Sequence, residues 1–266
     1  KLGAGTLTLE TNNTFTGGTI INEGNVVIGD TAALGPAANA VATFGPSTAS
    51  GRLRLNGYSI VLAGLATDAV PGTPVVESGS GTGGTDILTV SNSADYVYAG
   101  TIQNGAARLL SLVKRGTGRL TIGTNTYTGG TIIDGGTLAL TADFAAPGGA
   151  LVFGAYDESP NHGSLELVFA SLAATSFNAR NADVAADTIT IGAGKNLTVT
   201  GAFTVGGDAL AVTTTVTVAG TLPVNGTLTV TNGNLAVSRY SATGATLDLS
   251  GLGQFRYGNG AGTFGV

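Results

Sequence analysis

Cysteine, tryptophan and methionine are absent from this chain of 266 residues. Without cysteine there is neither a disulfide framework nor a thiolate metal site. Charged residues make up 10% of the chain, against roughly 25% in an ordinary soluble domain. The net charge is −5 and the longest basic run is Lys114-Arg115, so no nucleic-acid partner is expected. No run of about 18 apolar residues occurs, so no helical membrane span is expected. Proline is scarce, with 7 residues, which argues against a disordered low-complexity linker. Glycine is abundant, with 44 residues, but never in a strict three-residue period, which excludes collagen.

What remains is Thr, Val, Leu, Ala, Gly and Asn. Thr and Val favour strands; Gly and Asn favour turns. Hydrophobic residues at 42% suffice for a core. Apolar residues alternate in short runs: Leu7 and Leu9 flank Thr8, Leu120 and Ile122 flank Thr121, and Leu138 and Leu140 flank Ala139. Ile189-Thr190-Ile191, Leu197-Thr198-Val199, Val216-Thr217-Val218 and Leu228-Thr229-Val230 repeat the pattern. Period two predicts a strand with one face inward, and most of Leu7, Leu9, Leu120, Ile122, Ile132, Leu138 and Leu140 are expected to be buried.

The chain also repeats on a longer scale. Lys1, Gly3, Gly5, Leu7 and Thr8 match Lys114, Gly116, Gly118, Leu120 and Thr121. After one inserted residue near Asn13, Phe15-Thr16-Gly17-Gly18-Thr19-Ile20-Ile21 matches Tyr127-Thr128-Gly129-Gly130-Thr131-Ile132-Ile133. Phe44-Gly45 followed by Gly51 to Leu55 resembles Phe153-Gly154 followed by Gly163 to Leu167, and Gly244 to Leu249 is a weaker echo. The period is about 112 residues, too long for one coil, so several coils of roughly twenty residues are expected per repeat. A strand of three to five residues cannot bury its apolar face alone. It does so when the chain coils and lays each strand on the one below. The predicted fold is all-β: a right-handed parallel β-helix running as one continuous solenoid over 1–266. Repeat units lie near 1–57 and 87–168, with a divergent stretch over 170–266. Gly17-Gly18, Gly129-Gly130, Glu23-Gly24-Asn25 and Asp134-Gly135-Gly136 are the expected corners, where φ > 0 suits Gly and Asn. The Ala-rich residues 30–42 and 142–150, broken by Pro36 and Pro147, are expected as loops or one short helical turn.

The Lys-x-Gly-x-Gly-x-Leu run, the Asn-Thr-Tyr-Thr-Gly-Gly-Thr run and the Gly-Gly-Thr-Leu run resemble the passenger-associated transport repeat of autotransporters, also called the autotransporter-associated β-strand repeat. The best copy spans residues 87–140; residues 1–28 form a second, with Phe15 for the usual Tyr and Asn25-Val26-Val27 for Thr-Leu-x. The resemblance implies a right-handed β-helical stalk outside the cell, at a bacterial surface. It implies no particular activity. The family's membrane-embedded barrel is not in this sequence. The chain opens on Lys1 without Met or signal peptide, so a processed or longer precursor is expected.

Few residues are suited to chemistry. His162 is the only histidine and lies in a turn-like Ser159-Pro160-Asn161-His162-Gly163 segment, in the same loop as Asp157-Glu158; a catalytic base needs an orienting partner within hydrogen-bond reach, and an exposed loop is the expected setting. Asp157-Glu158 is the only adjacent acidic pair. β-Helix enzymes that cleave acidic polysaccharides cluster several acids on one strand face, whereas adjacent strand residues point to opposite faces. Gly81-Thr82-Gly83-Gly84-Thr85-Asp86 brushes against a Gly-Gly-x-Gly-x-Asp calcium repeat, but only once, and such sites need stacked copies. Thr188-x-Thr190, Thr198-x-Thr200, Thr213 to Thr217 and Thr227-x-Thr229-x-Thr231 leave open an ice-binding or other surface-binding reading. Their uneven spacing favours plain outward threonines. The pairs Tyr96/Tyr98 and Phe255/Tyr257 each point to one face, as core, cap or sugar platform.

The expectation is therefore a non-catalytic structural or adhesive stalk or fibre subunit. No catalytic residue, cofactor or metal site is assigned. Its partners would be flanking chain or further copies joined end to end, with surface glycans as a further class. A carbohydrate-active β-helix and a Thr-face ice-binding β-helix are the alternatives.

Overall fold

In the computed structural model the protein is described over residues 1–257 apart from 47, 80, 145–147, 155–162, 180–186, 192–194, 196, 200–202, 206–208, 213–215, 225–226, 232–233, 243–245 and 252–253. Side chains are described as far as Leu197, except Ala179 and Ile191.

The elements are short strands. In chain order they are β1 (Thr6–Leu9), β2 (Thr19–Ile21), β3 (Gly24–Ile28), β4 (Val41–Phe44), β5 (Gly51–Arg54), β6 (Ile60–Leu62), β7 (Gly64–Thr67), β8 (Val75–Glu77), β9 (Thr85–Ser91) and β10 (Tyr96–Tyr98). There follow β11 (Thr101–Gln103), β12 (Leu109–Arg115), β13 (Arg119–Ile122), β14 (Thr131–Ile133), β15 (Gly136–Leu140), β16 (Ala150–Phe153), β17 (Gly163–Leu167), β18 (Leu172–Ala174) and β19 (Ser176–Ala179). The last are β20 (Asp187–Ile191), β21 (Leu197–Val199), β22 (Phe203–Val205), β23 (Ala209–Val212), β24 (Val216–Val224), β25 (Thr227–Thr231), β26 (Asn234–Ala242), β27 (Thr246–Gly251) and β28 (Gln254–Tyr257).

These strands pair in parallel, each with a strand from a neighbouring coil. A five-stranded sheet runs β1-β3-β5-β8-β11 and a three-stranded one β2-β4-β7. An eight-stranded sheet runs β10-β13-β15-β17-β20-β23-β25-β27, and a twelve-stranded sheet holds the rest. One coil consumes 19 residues between Thr6 and Asn25 and 24 between Ser164 and Thr188. The fold is a parallel β-solenoid, and no helix occurs among the described residues.

Parity explains which residues go inside. Tyr96, Leu120, Leu138, Leu165 and Ile189 occupy one register row of the eight-stranded sheet. Leu7, Val26, Leu53, Val76 and Ile102 form the corresponding row of the five-stranded sheet. Apart from Leu7 and Tyr96 at the row ends, these side chains are buried. Each fully buried Leu, Ile or Val contributes about 1.5–3 kcal/mol relative to exposure. Laid about 4.8 Å apart, they form one continuous apolar cluster.

The two repeats become the same structural unit. β1 to β5 correspond in sequence to β13 to β17, strand for strand. Gly24 and Gly136, at matched corners, have φ of 73° and 63°. A Cβ at Gly24 would lie 2.4 Å from the Gly5 carbonyl oxygen, and one at Gly136 would lie 2.4 Å from that of Gly116. Both need glycine for conformation and for space. The Ala-rich residues 31–34 form turns.

Two positions depart from the sequence reading, and a third, Leu9, is only partly buried against the core. Leu7, expected inside, is 42% exposed, because β1 is paired on one edge only, with β3. Ile132, also expected inside, faces outward and is half-buried: the inward residues of β14 are Thr131 and Ile133. The Gly129-Gly130 corner sets this parity, with Gly130 at φ 102°. Leu120, Ile122, Leu138 and Leu140 are buried as expected.

Candidate functional site

The most organised polar site in the described residues was not singled out in the sequence, and it belongs to the repeat itself. β12 alternates Leu110, Leu112 and Lys114 on its inward face. Lys114 lies in register with Val90 on one side and Ile133 on the other, and is fully buried. Its stem packs in the interior. Its Nζ donates to the carbonyl oxygens of Arg115 (2.6 Å), Gly116 (3.1 Å) and Gly135 (3.2 Å). Burial pushes the ammonium pKa down to about 8, opposed by the nearby charge of Asp95. Lys1 repeats the arrangement: its Nζ donates to Leu2 O (3.1 Å), Gly3 O and Glu23 O (2.9 Å). One lysine thus gathers three corner carbonyls, two from its own coil and one from the next. The signal was available as parity, since Lys114 sits two residues after Leu112 on the inward face.

Other repeat residues are also structural. Asn125 Nδ2 donates to Gly123 O at 2.7 Å, and Asn13 Nδ2 to Thr11 O at 3.1 Å, the same step back along the chain. The buried Tyr127 hydroxyl lies 2.8 Å from Thr131 Oγ1. Burial raises its pKa far above the usual phenol value. Phe15 cannot make this bond, and the buried Thr19 Oγ1 has no partner.

Several acidic side chains in the described residues are tied to bases or backbone. Glu77, nearly buried, accepts from Arg52, from Arg54 Nε at 2.7 Å and from Gln103 Nε2 at 2.8 Å. Arg115 pairs with Asp134 at 3.2 Å and Arg119 with Glu166 at 2.5 Å. Asp143 accepts from Ser171 N–H and Lys195 Nζ, and both hold its carboxyl below the usual range. This distribution leaves no cluster of three or more acidic or histidine ligands suited to a metal among the described residues.

The Gly81 to Asp86 segment is held by a side chain. Asp86 is buried; its Oδ1 accepts from Arg108 Nε at 2.8 Å and its Oδ2 from Gly57 N–H at 2.9 Å. Arg108 Nη1 also donates to Thr82 O at 2.7 Å and Gly83 O at 3.1 Å. A guanidinium therefore supplies the positive charge that this loop gathers its oxygens around.

Tyr98 is a core residue, fully buried, with its ring 5.4 Å from that of Phe44 and its hydroxyl donating to Thr101 O. Tyr96 packs on the core edge, and Val97 between them is exposed. Neither tyrosine presents an open platform. Phe255 and Tyr257 lie in β28, and their side chains are outside the described set. Asp157, Glu158 and His162 lie outside the described residues.

The threonine runs divide between sheets. Thr188 and Thr190 lie in the eight-stranded sheet, with Ser164 and Ala211 as register mates of Thr188. Thr198 and Thr217 are register mates in the twelve-stranded sheet, followed by Ala236. Thr227, Thr229 and Thr231 return to the eight-stranded sheet, where Asp248 is paired with Thr229. Thr200 and 213–215 lie outside the described residues. The described rows alternate threonine with alanine, serine and aspartate, and do not form one uniform face.

Comparison with known proteins agrees with this geometry. The family model of the passenger-associated transport repeat matches residues 1–28 and 112–140, the segments that carry Lys1 with β1 to β3 and Lys114 with β13 to β15. It describes a passenger repeat and not an enzyme family. No curated protein and no solved structure matched the chain. Two segments of this chain are thus similar to the passenger-associated transport repeat, both lie in a parallel β-solenoid, and together they fit a repeat-bearing autotransporter passenger.

Proposed function

We propose that the chain is a non-catalytic length of extracellular stalk in a bacterial surface protein, one solenoid over 1–266 that holds other parts of the protein away from the cell. The observation carrying this reading is that the two matched repeats build the same strand unit in a parallel stack. Their distinctive residues serve the fold itself: Lys114 and Gly136 join successive coils, and Asn125 and Tyr127 fix the chain path within a coil. A motif whose polar atoms are consumed by its own corners is suited to spacing and poorly suited to turnover. The surface location is supported by the passenger repeat. Electron microscopy of the purified chain tests the reading: it predicts rods that lengthen by about 4.8 Å per added coil. Compact particles would contradict it. Incubation with polygalacturonate or alginate, with and without Ca²⁺, is expected to yield no new reducing ends or unsaturated products. Turnover abolished by Asp157→Ala or Glu158→Ala would overturn the non-catalytic assignment.

A further inference from the structure

Asn56-Gly57 and Asn104-Gly105 are the Asn-Gly pairs that lie among the described residues, and the fold holds them differently. An asparagine followed by glycine can react with its own backbone. The glycine amide nitrogen attacks the asparagine side-chain carbonyl carbon, and no Cβ on the glycine hinders it. A C–N bond forms, the attacking nitrogen gives its proton to a base, and the side-chain nitrogen leaves as ammonia. The five-membered imide that remains is opened by water at either carbonyl, which leaves aspartate or isoaspartate. The fold decides whether the side chain can turn into the geometry for attack.

Asn104 is tied down. Its Oδ1 accepts from Leu110 N–H at 2.9 Å and from Thr128 N–H at 3.1 Å, and its Nδ2 donates to Thr128 Oγ1 at 2.8 Å. Gly105 N–H, on the attacking nitrogen, donates to Arg108 O at 2.9 Å. These side-chain bonds fasten Asn104 to the next coil, and all of them must break before its carbonyl carbon can turn toward Gly105.

Asn56 is the opposite case. Leu55-Asn56-Gly57-Tyr58 is a turn closed by Tyr58 N–H donating to Leu55 O at 3.0 Å. Asn56 and Gly57 have φ of 53° and 99°, as a type I′ turn requires. Asn56, Gly57 and Tyr58 are exposed. The Asn56 side chain makes no hydrogen bond among the described residues, so it rotates freely. Gly57 N–H donates to Asp86 Oδ2 at 2.9 Å, so the proton that the attacking nitrogen must give up already points at a carboxylate.

We propose that Asn56 is a self-modification site, where the folded chain converts to aspartate and isoaspartate while Asn104 is preserved. Conversion places a new negative charge at an exposed corner. The isoaspartate product also lengthens the main chain by a methylene beside Gly57, which draws the Gly57 N–H away from Asp86. This inference is independent of the stalk reading.

The test holds the folded full chain in mildly alkaline buffer and follows the gain of one dalton at each asparagine by fragmentation mass spectrometry. Conversion at Asn56 is expected to outpace that at Asn104 by roughly tenfold or more, with separable aspartate and isoaspartate products. In urea the two sites should convert at similar rates, because folding alone separates them. Asn56→Gly, which keeps a residue suited to positive φ, should remove the fast site and leave Asn104 intact. Equal rates at the two sites in the folded chain would overturn the assignment. So would an Asn56 that stays intact in the folded chain while the chain in urea converts there.

Discussion

The two transport repeats are nearly one sequence placed in two settings. In the second, β13 has β10 on one edge and β15 on the other, and Leu120 and Tyr127 are fully buried. In the first, β1 has only β3; Leu7 and Phe15 stand 42% and 39% exposed. The sequence differences follow the setting. Where the second copy has the ion pair Arg115–Asp134, the first has the uncharged Leu2 and Asn22 at the matched positions. Where the second has Tyr127 bonded to Thr131, the first has Phe15 and a Thr19 hydroxyl without a partner. The motif therefore specifies the path of the coil, and the neighbouring coils decide how much stability each residue contributes.

The largest effect that would sharpen this comparison is Leu120→Asp against Leu7→Asp. An unpaired carboxylate in the dry stack should cost about 4 kcal/mol or more. The same change at Leu7 should cost about 1 kcal/mol or less in the monomer. Urea unfolding followed by circular dichroism measures both; equal losses would break the distinction between covered and uncovered copies.

Next comes Lys114→Met against Lys1→Met. The first removes the donor from three corner carbonyls, at about 1–3 kcal/mol for a buried group left unmade. The second acts where water can substitute, so a smaller loss is expected. The pH dependence has a definite sign. Folding lowers the Lys114 pKa from 10.5 to about 8, so between those values the unfolded chain holds a proton that the folded chain has released. Wild-type stability should therefore rise relative to Lys114→Met from pH 8 to pH 10.5 and lose that margin as pH falls through 8. Thermal unfolding of the pair across this range checks it, and a margin that shrinks on going alkaline would contradict the buried-lysine geometry.

The smallest effects concern the hydroxyl pair. Tyr127→Phe should cost about 1 kcal/mol by leaving Thr131 Oγ1 as Thr19 Oγ1 now stands. Phe15→Tyr should recover about 0.5 kcal/mol or less, because its site is open to water. Chemical denaturation of the two single variants and their combination measures both. A larger gain at Phe15 than the loss at Tyr127 would reverse the assignment of which copy is well covered.

Much of the solenoid could be read from the chain because its rules are local. Period-two alternation gives the inward row at Leu120 and Leu138, and matched glycines such as Gly24 and Gly136 mark corners that tolerate no Cβ. Ile132 escaped this logic because parity is reset at each corner, and the φ of Gly130 is not written in the hydrophobic pattern. Lys114 escapes it because a charged side chain ordinarily faces water, although its position two residues after Leu112 puts it inside. Leu7 escaped it because burial depends on a coil beneath, which no local pattern records. At the Gly81 to Asp86 loop the balancing charge comes from Arg108, a residue of the next coil that the loop's own sequence does not mark.

The central claim is that a repeat strand gains its stability from coils on both sides. Amide hydrogen exchange resolved to the strand tests this most directly, at concentrations where the chain is monomeric. Amides of Arg119–Ile122 in β13 should exchange far more slowly than those of Thr6–Leu9 in β1, approaching the global unfolding rate while β1 opens locally. Equal protection of the two strands would contradict the account.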